Sequence, residues 1–211
     1  MSKKGRAATL ERKARLEAVK KEQAQQARRR AIIIGAVAVP LVIIIVVAAV
    51  LGIRAGAAKP LGSDIFGLKT YTGLSRNHVT GTISYPQNPP VGGNHNPVWQ
   101  NCGVYTQPIK NENGVHSLEH GAVWVTYQPS LPAAQVAALA ADIKGNPYML
   151  VTPYPGLPAP VVASAWGYQV QLTGASDPRL AQFIKTFEQG PQTPEPGAAC
   201  IGGLGTPALT G

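Results

Sequence analysis

All four histidines of this 211-residue chain, His78, His95, His116 and His120, lie between positions 78 and 120. Neutral imidazole is the commonest metal ligand among side chains. His116 and His120 are four residues apart in His116-Ser117-Leu118-Glu119-His120. On a helical turn such a pair shares one face and can chelate a single ion. His95 and His78 could supply a third and a fourth ligand, and a set of imidazoles suits zinc or copper. Glu119 would then be an outer partner or a base. Met149 is a further soft-ligand candidate, although its surroundings read as core. Outside the cytoplasm, copper delivery or storage would fit such a site.

Two other readings of these residues stay open. His116-x-x-Glu119-His120 matches the H-x-x-E-H pattern of zinc peptidases, in which two histidines hold zinc and the glutamate activates water. That chemistry needs a helix of some length. Gly114 and Gly121 bracket the motif here, and the AVWVTY that follows reads as a strand. The third reading is structural: the histidines hydrogen-bond backbone carbonyls, Glu119 pairs with a protonated histidine or Arg76, and the domain serves as a scaffold for another membrane protein. Other chemistries lack their residues. The chain has no glycine-rich phosphate loop followed by Lys-Ser or Lys-Thr and no G-x-S-x-G. Ser117 beside His116 does not make a triad. Carboxylates are too few for a glycosidase pair.

The elements that must position the histidines can be read coarsely. Tyr85 to Asn101, YPQNPPVGGNHNPVWQN, is rich in proline and glycine and reads as an ordered loop carrying His95 and Trp99. Long loops in small domains are often functional. Strands are expected over Gly103 to Ile109, Ala122 to Gln128, Tyr148 to Thr152 and Val161 to Leu172, the last broken at Trp166-Gly167. Helices are expected over Pro132 to Lys144 and over Asp177 to Gln189, the second with Asp at the N-cap and Pro at N1. Trp99, Trp124 and Trp166 read as core or loop anchors, with an aromatic cleft as the alternative. Pro153 to Pro158 reads as a surface turn. The expected fold is α+β: a small, mainly antiparallel sheet, two amphipathic helices and long Pro/Gly-rich loops, spanning 63–190.

One transmembrane helix is expected ahead of this domain. Residues 31–53 form an uncharged run of 23 residues, AIIIGAVAVPLVIIIVVAAVLGI. About 20 apolar residues span a bilayer, and a proline such as Pro40 is tolerated there. Residues 1–30 hold eleven Lys or Arg against three Glu, whereas residues 54–211 hold eight against seven acids. Of the net charge of +9, +8 therefore belongs to the tail and +1 to residues after 53, which argues against nucleic acid as partner. The positive-inside rule puts the tail in the cytoplasm and residues after 53 outside the cell membrane. The tail would touch anionic lipid headgroups, at about 1 kcal/mol per basic residue near the surface. Ala55-Gly56-Ala57 has the form of a signal-peptidase site, but the long apolar run favours an uncleaved anchor. Residues 54–62 read as a linker and 191–211 as a Pro/Gly-rich C-terminal tail.

The only two cysteines, Cys102 and Cys200, lie beyond the membrane segment. In an oxidising compartment an even count reads as a disulfide. The alternative is Cys102 as a thiolate ligand beside the histidines.

His78-Val79, Tyr85, Pro89-Pro90-Val91-Gly92-Gly93-Asn94-His95, Trp99, Cys102-Gly103-Val104-Tyr105 and Val115-His116-Ser117-Leu118-Glu119-His120-Gly121-Ala122-Val123-Trp124 together resemble a bacterial family catalogued as domain of unknown function 3105. The resemblance spans roughly residues 65–190 and is densest from 78 to 127. The family often has Ser where this chain has Gly92. The resemblance implies a small, often actinobacterial protein, often with one N-terminal membrane anchor, and an extracytoplasmic domain. It implies no activity.

Overall fold

Three strands at the centre of the domain, VWVTY, MLVTP and VVASA, are buried along their whole length. Burial on both faces of a strand requires cover on both faces of its sheet. The computed structural model describes residues 59–211 and, nearer the N-terminus, residues 15–17, 20–26, 28–30, 32, 34, 36, 39–40 and 42–48, which are helical. Residues Met1–Lys59 and Pro60–Gly211 form separate units. The segment 31–53 lies partly outside the described residues, and among the described residues no helix is long and apolar enough to cross a membrane.

The second unit is mixed α+β. Its strands are β1 (Lys69–Thr70), β2 (Gly103–Val104), β3 (Val123–Tyr127), β4 (Met149–Pro153), β5 (Val161–Ala165) and β6 (Tyr168–Leu172). They form one sheet in the order β1-β6-β5-β3-β4-β2. The β1–β6, β6–β5 and β5–β3 pairings are antiparallel, while β3–β4 and β4–β2 are parallel. Three helices cover the sheet: α1 (Asn111–Glu119), α2 (Ala133–Ala141) and α3 (Pro178–Phe187).

The alternation along each strand sorts the two faces. Val123, Val125, Met149, Val151, Ala163 and Val170 pack with Leu139 of α2 and with Leu180, Phe183 and Phe187 of α3. Trp124 and Leu150 turn to the opposite face and meet Val115 and Leu118 of α1, with Tyr105 and Trp166 beside them. Fully burying each of these large apolar side chains contributes about 1.5–3 kcal/mol. Trp124 Nε1 donates to Thr152 Oγ1 at 2.9 Å, so the indole keeps a hydrogen bond in the core.

Local chemistry explains the ends of the elements. Asp177 caps α3, its side chain accepting from the Arg179 N–H, with Pro178 at the first helical position. The Arg179 guanidinium, 2.6 Å away, holds the Asp177 carboxyl well below the usual carboxylate range. The β5–β6 hairpin turns at Trp166-Gly167, where Gly167 has φ +75°. A Cβ on Gly167 would lie 2.9 Å from the Tyr71 carbonyl oxygen, so only glycine fits. The β3–β4 pair is parallel and needs a crossover, which α2 supplies. The strand expected over Gly103 to Ile109 pairs only at Gly103–Val104. The chain leaves the sheet after Tyr105, whose N–H still reaches Val151 O at 2.8 Å, and enters α1 at Asn111.

The largest departure is α1 itself. The glycines around the histidine motif argued against a helix, yet Gly114 sits inside one. A Cβ at Gly114 would lie 2.8 Å from Trp124 Cζ3. The residue is small because the helix packs directly on the indole.

Candidate metal centre

Helix α1 presents His116, Glu119 and His120 at i, i+3 and i+4, on one face. The helix stops where the motif stops. Gly121, with φ +93°, donates its N–H to Leu118 O, and Ala122 N–H donates to Ser117 O. These two bonds form a Schellman cap that satisfies the last carbonyls. Ser117 faces away from the cluster and donates to Gln100 O at 2.7 Å. Asn113 Nδ2 donates to Val98 O at 2.6 Å, and Asn96 N–H donates to Glu112 O at 3.2 Å. Polar residues of α1 thus staple the loop 85–101 along the helix and bring His95 to it.

Backbone pairing brings the fourth histidine. Val79 N–H donates to His95 O at 2.7 Å and His95 N–H to Asn77 O at 3.1 Å. This short parallel bridge sets His78 beside His95. The ring centroids of His78, His95 and His116 are then 4.8–4.9 Å apart.

Hydrogen bonding at the far ring nitrogens fixes the tautomers. His95 Nδ1 lies 2.7 Å from Gly93 O, His116 Nδ1 2.6 Å from Asn96 O and His120 Nδ1 2.7 Å from Ala199 O. A carbonyl oxygen only accepts, so each Nδ1 carries the hydrogen. In the neutral ring each Nε2 is left with a lone pair. A ring N–H held by a backbone carbonyl is also the usual support of a metal-ligating histidine.

Those lone pairs converge. His95 Nε2 is 2.8 Å from Glu119 Oε2, both buried: an ion pair when the ring is protonated, and two facing acceptors with no hydrogen between them when it is neutral. His78 Nε2 lies 3.5 Å from the same oxygen. His116 Nε2 is 2.9 Å from His120 Nε2. Donor atoms of His78, His95, His116 and Glu119 all fall within 4.8 Å of one another. Ligands about 2.0–2.2 Å from one ion lie at most about 4.4 Å apart, so a small contraction would close the group on zinc or copper. His95, His116 and Glu119 are buried, whereas the His78 side chain is 45% exposed, giving the cluster one face toward solvent. Burial, together with the neighbouring imidazoles, pushes the His116 ring down to about 4 and keeps it neutral.

Of the sequence candidates, His78, His95 and His116 come together, and Glu119 joins them with its Oε2 2.8 Å from His95 Nε2. His120 sits one step to the side, with its Nε2 on His116 and 3.6 Å from Glu195 Oε2. Met149 lies in the core on the opposite face of the sheet. Cys102 is bonded to Cys200, with Cα atoms 5.3 Å apart, and is not a free thiolate. Two contributors, Glu195 and the Ala199 carbonyl, escaped the sequence reading. Glu195 was lost in a Pro/Gly-rich stretch, although it is one of only seven acids after residue 53. Trp99, read from the sequence as a core or loop anchor, has its ring 5.0 Å from His120 and 5.7 Å from His116. The Ala199 carbonyl belongs to a side chain without chemistry and left no signal.

Among known proteins, a family profile described as protein of unknown function, DUF3105, matches residues 78–202. No curated protein and no solved structure matches the chain.

Proposed function

The chain belongs to the DUF3105 family, a name that carries no activity, and from the site alone we propose that the domain is a non-catalytic binding module for a transition metal, zinc or copper. The observation that carries this reading is the convergence of lone pairs: with His95 neutral, its Nε2 and Glu119 Oε2 face each other at 2.8 Å, buried and with no hydrogen between them, and the Nε2 atoms of His78 and His116 lie beside them. A proton joins two acceptors, whereas one cation joins four. Imidazole and carboxylate donors with no thiolate suit zinc or copper(II).

The test is metal content by mass spectrometry on the full chain, purified through a tag without histidine. About one zinc or copper per chain is expected, and none in His95→Ala/His116→Ala. A parent that is metal-free and takes up neither ion on titration would sink the reading and leave the cluster to a structural role.

We read residues 31–53 as a membrane anchor, with 1–30 cytoplasmic and the domain outside. The uncharged 23-residue run, the basic flank and a disulfide-bonded domain support this. Protease added to intact cells is expected to digest the domain and spare the tail. A protected domain would reverse the assignment.

A further inference from the structure

His116 Nε2 faces two sets of donors. On one side stand His78, His95 and Glu119. On the other, His120 Nε2 is 2.9 Å away, and Glu195 Oε2 lies 3.6 Å beyond it. The Ala199 carbonyl holds a hydrogen of His120 on Nδ1, so in the neutral rings the two facing Nε2 atoms both carry lone pairs. Two acceptors at that distance repel unless a cation lies between or beside them. The second set grades outward: the His120 side chain is 5% exposed and that of Glu195 is 51% exposed.

Resting on the metal-binding reading above, we propose that His116, His120 and Glu195 form a second, outer station for the same divalent ion, with His116 common to both. One imidazole nitrogen binds one ion at a time, so the stations are alternatives and the stoichiometry stays at one. The ion then has a buried position among His78, His95, His116 and Glu119, and an accessible one on the C-terminal segment. Glu195 is positioned for this by its own backbone, because its N–H donates to Glu119 O at 3.1 Å. Gln189 assists, its side-chain amide donating to His120 O.

The experiment titrates zinc into the apo full chain against a colorimetric chelator, with the inner station disabled. Glu119→Gln, an isosteric change, and His95→Ala are two independent ways to disable it. Each is expected to retain one zinc at reduced affinity. Adding Glu195→Gln to either is expected to weaken that residual binding by about tenfold or more, the scale on which groups supporting a metal site act. Glu195→Gln alone is expected to leave the parent stoichiometry at one. If both inner variants bind no zinc, or if Glu195→Gln changes nothing in them, the outer station does not exist, although a parent that binds zinc keeps the metal centre. If the parent itself binds no zinc, the metal-binding reading fails first.

Discussion

Loading the histidine cluster with zinc or copper is expected to raise the thermal midpoint of the folded domain by about 10 °C. A ligand that binds only the folded state at a thousand times its dissociation constant stabilises by about 4 kcal/mol. For a domain of this size each kcal/mol moves the midpoint by roughly 2–4 °C. The ion would relieve a specific cost as well: without it, a neutral His95 leaves its Nε2 and Glu119 Oε2 as two buried acceptors 2.8 Å apart. It would also join segments remote in the chain, since His78 and His95 come from loops and His116 and Glu119 from α1. Calorimetry with and without a chelator measures the shift. A midpoint that the chelator leaves in place would contradict it. The effect should shrink in acid, where protons compete for ligand lone pairs. His116 has its own signature in the apo state. Burial lowers its folded value to about 4, whereas the unfolded ring takes up a proton near 6.5. Between those values the unfolded chain binds more protons, so the apo fold loses stability as pH falls through that window.

Cys200→Ser is expected to cost about 4–5 kcal/mol, the value the chain-entropy model gives for a loop of roughly 100 residues. The two cysteines are 98 positions apart. What the bond restrains is visible in its surroundings. Cys102 N–H donates to Cys200 O at 2.7 Å, Asn101 N–H to Leu204 O at 2.9 Å and Val104 N–H to Leu209 O at 2.9 Å. Tyr148 Oη donates to Ala198 O at 2.9 Å. The segment after α3 is thus a strap laid along β2 and held by the disulfide. Urea unfolding of Cys200→Ser against the parent reads the loss. A difference under about 1 kcal/mol, the worth of a single hydrogen bond, would mean that the strap's backbone bonds suffice without the covalent link.

Features that depend on neighbours in sequence were legible from sequence. Asp177-Pro178 announced the start of α3, Trp166-Gly167 broke the hairpin where expected, and the density of histidines in the sequence pointed to the candidate cluster. Features that depend on distant packing were not. Gly114 argues against a helix until Trp124 is seen lying against it. The parallel β3–β4 pairing hides in strands buried on both faces, because hydrophobicity alone does not give strand direction. Glu119 could be ranked as an outer partner or a base but not seen to face His95. The carbonyls of Gly93, Asn96 and Ala199 fix three imidazoles, and every residue in the chain carries such a group. Only the fold selects which three.

The strap also sets the order in which the site can be finished. His120 is synthesised 79 residues before Ala199, whose carbonyl holds its ring. At about 5–20 residues per second, that leaves roughly 4–16 s in which His78, His95, His116 and Glu119 already exist while His120 is unsupported and Glu195 has not been made. A nascent chain can gather the buried donors but not the outer pair. The complete set of donors therefore comes together only after the segment that carries Glu195 and Ala199 has been laid against α1.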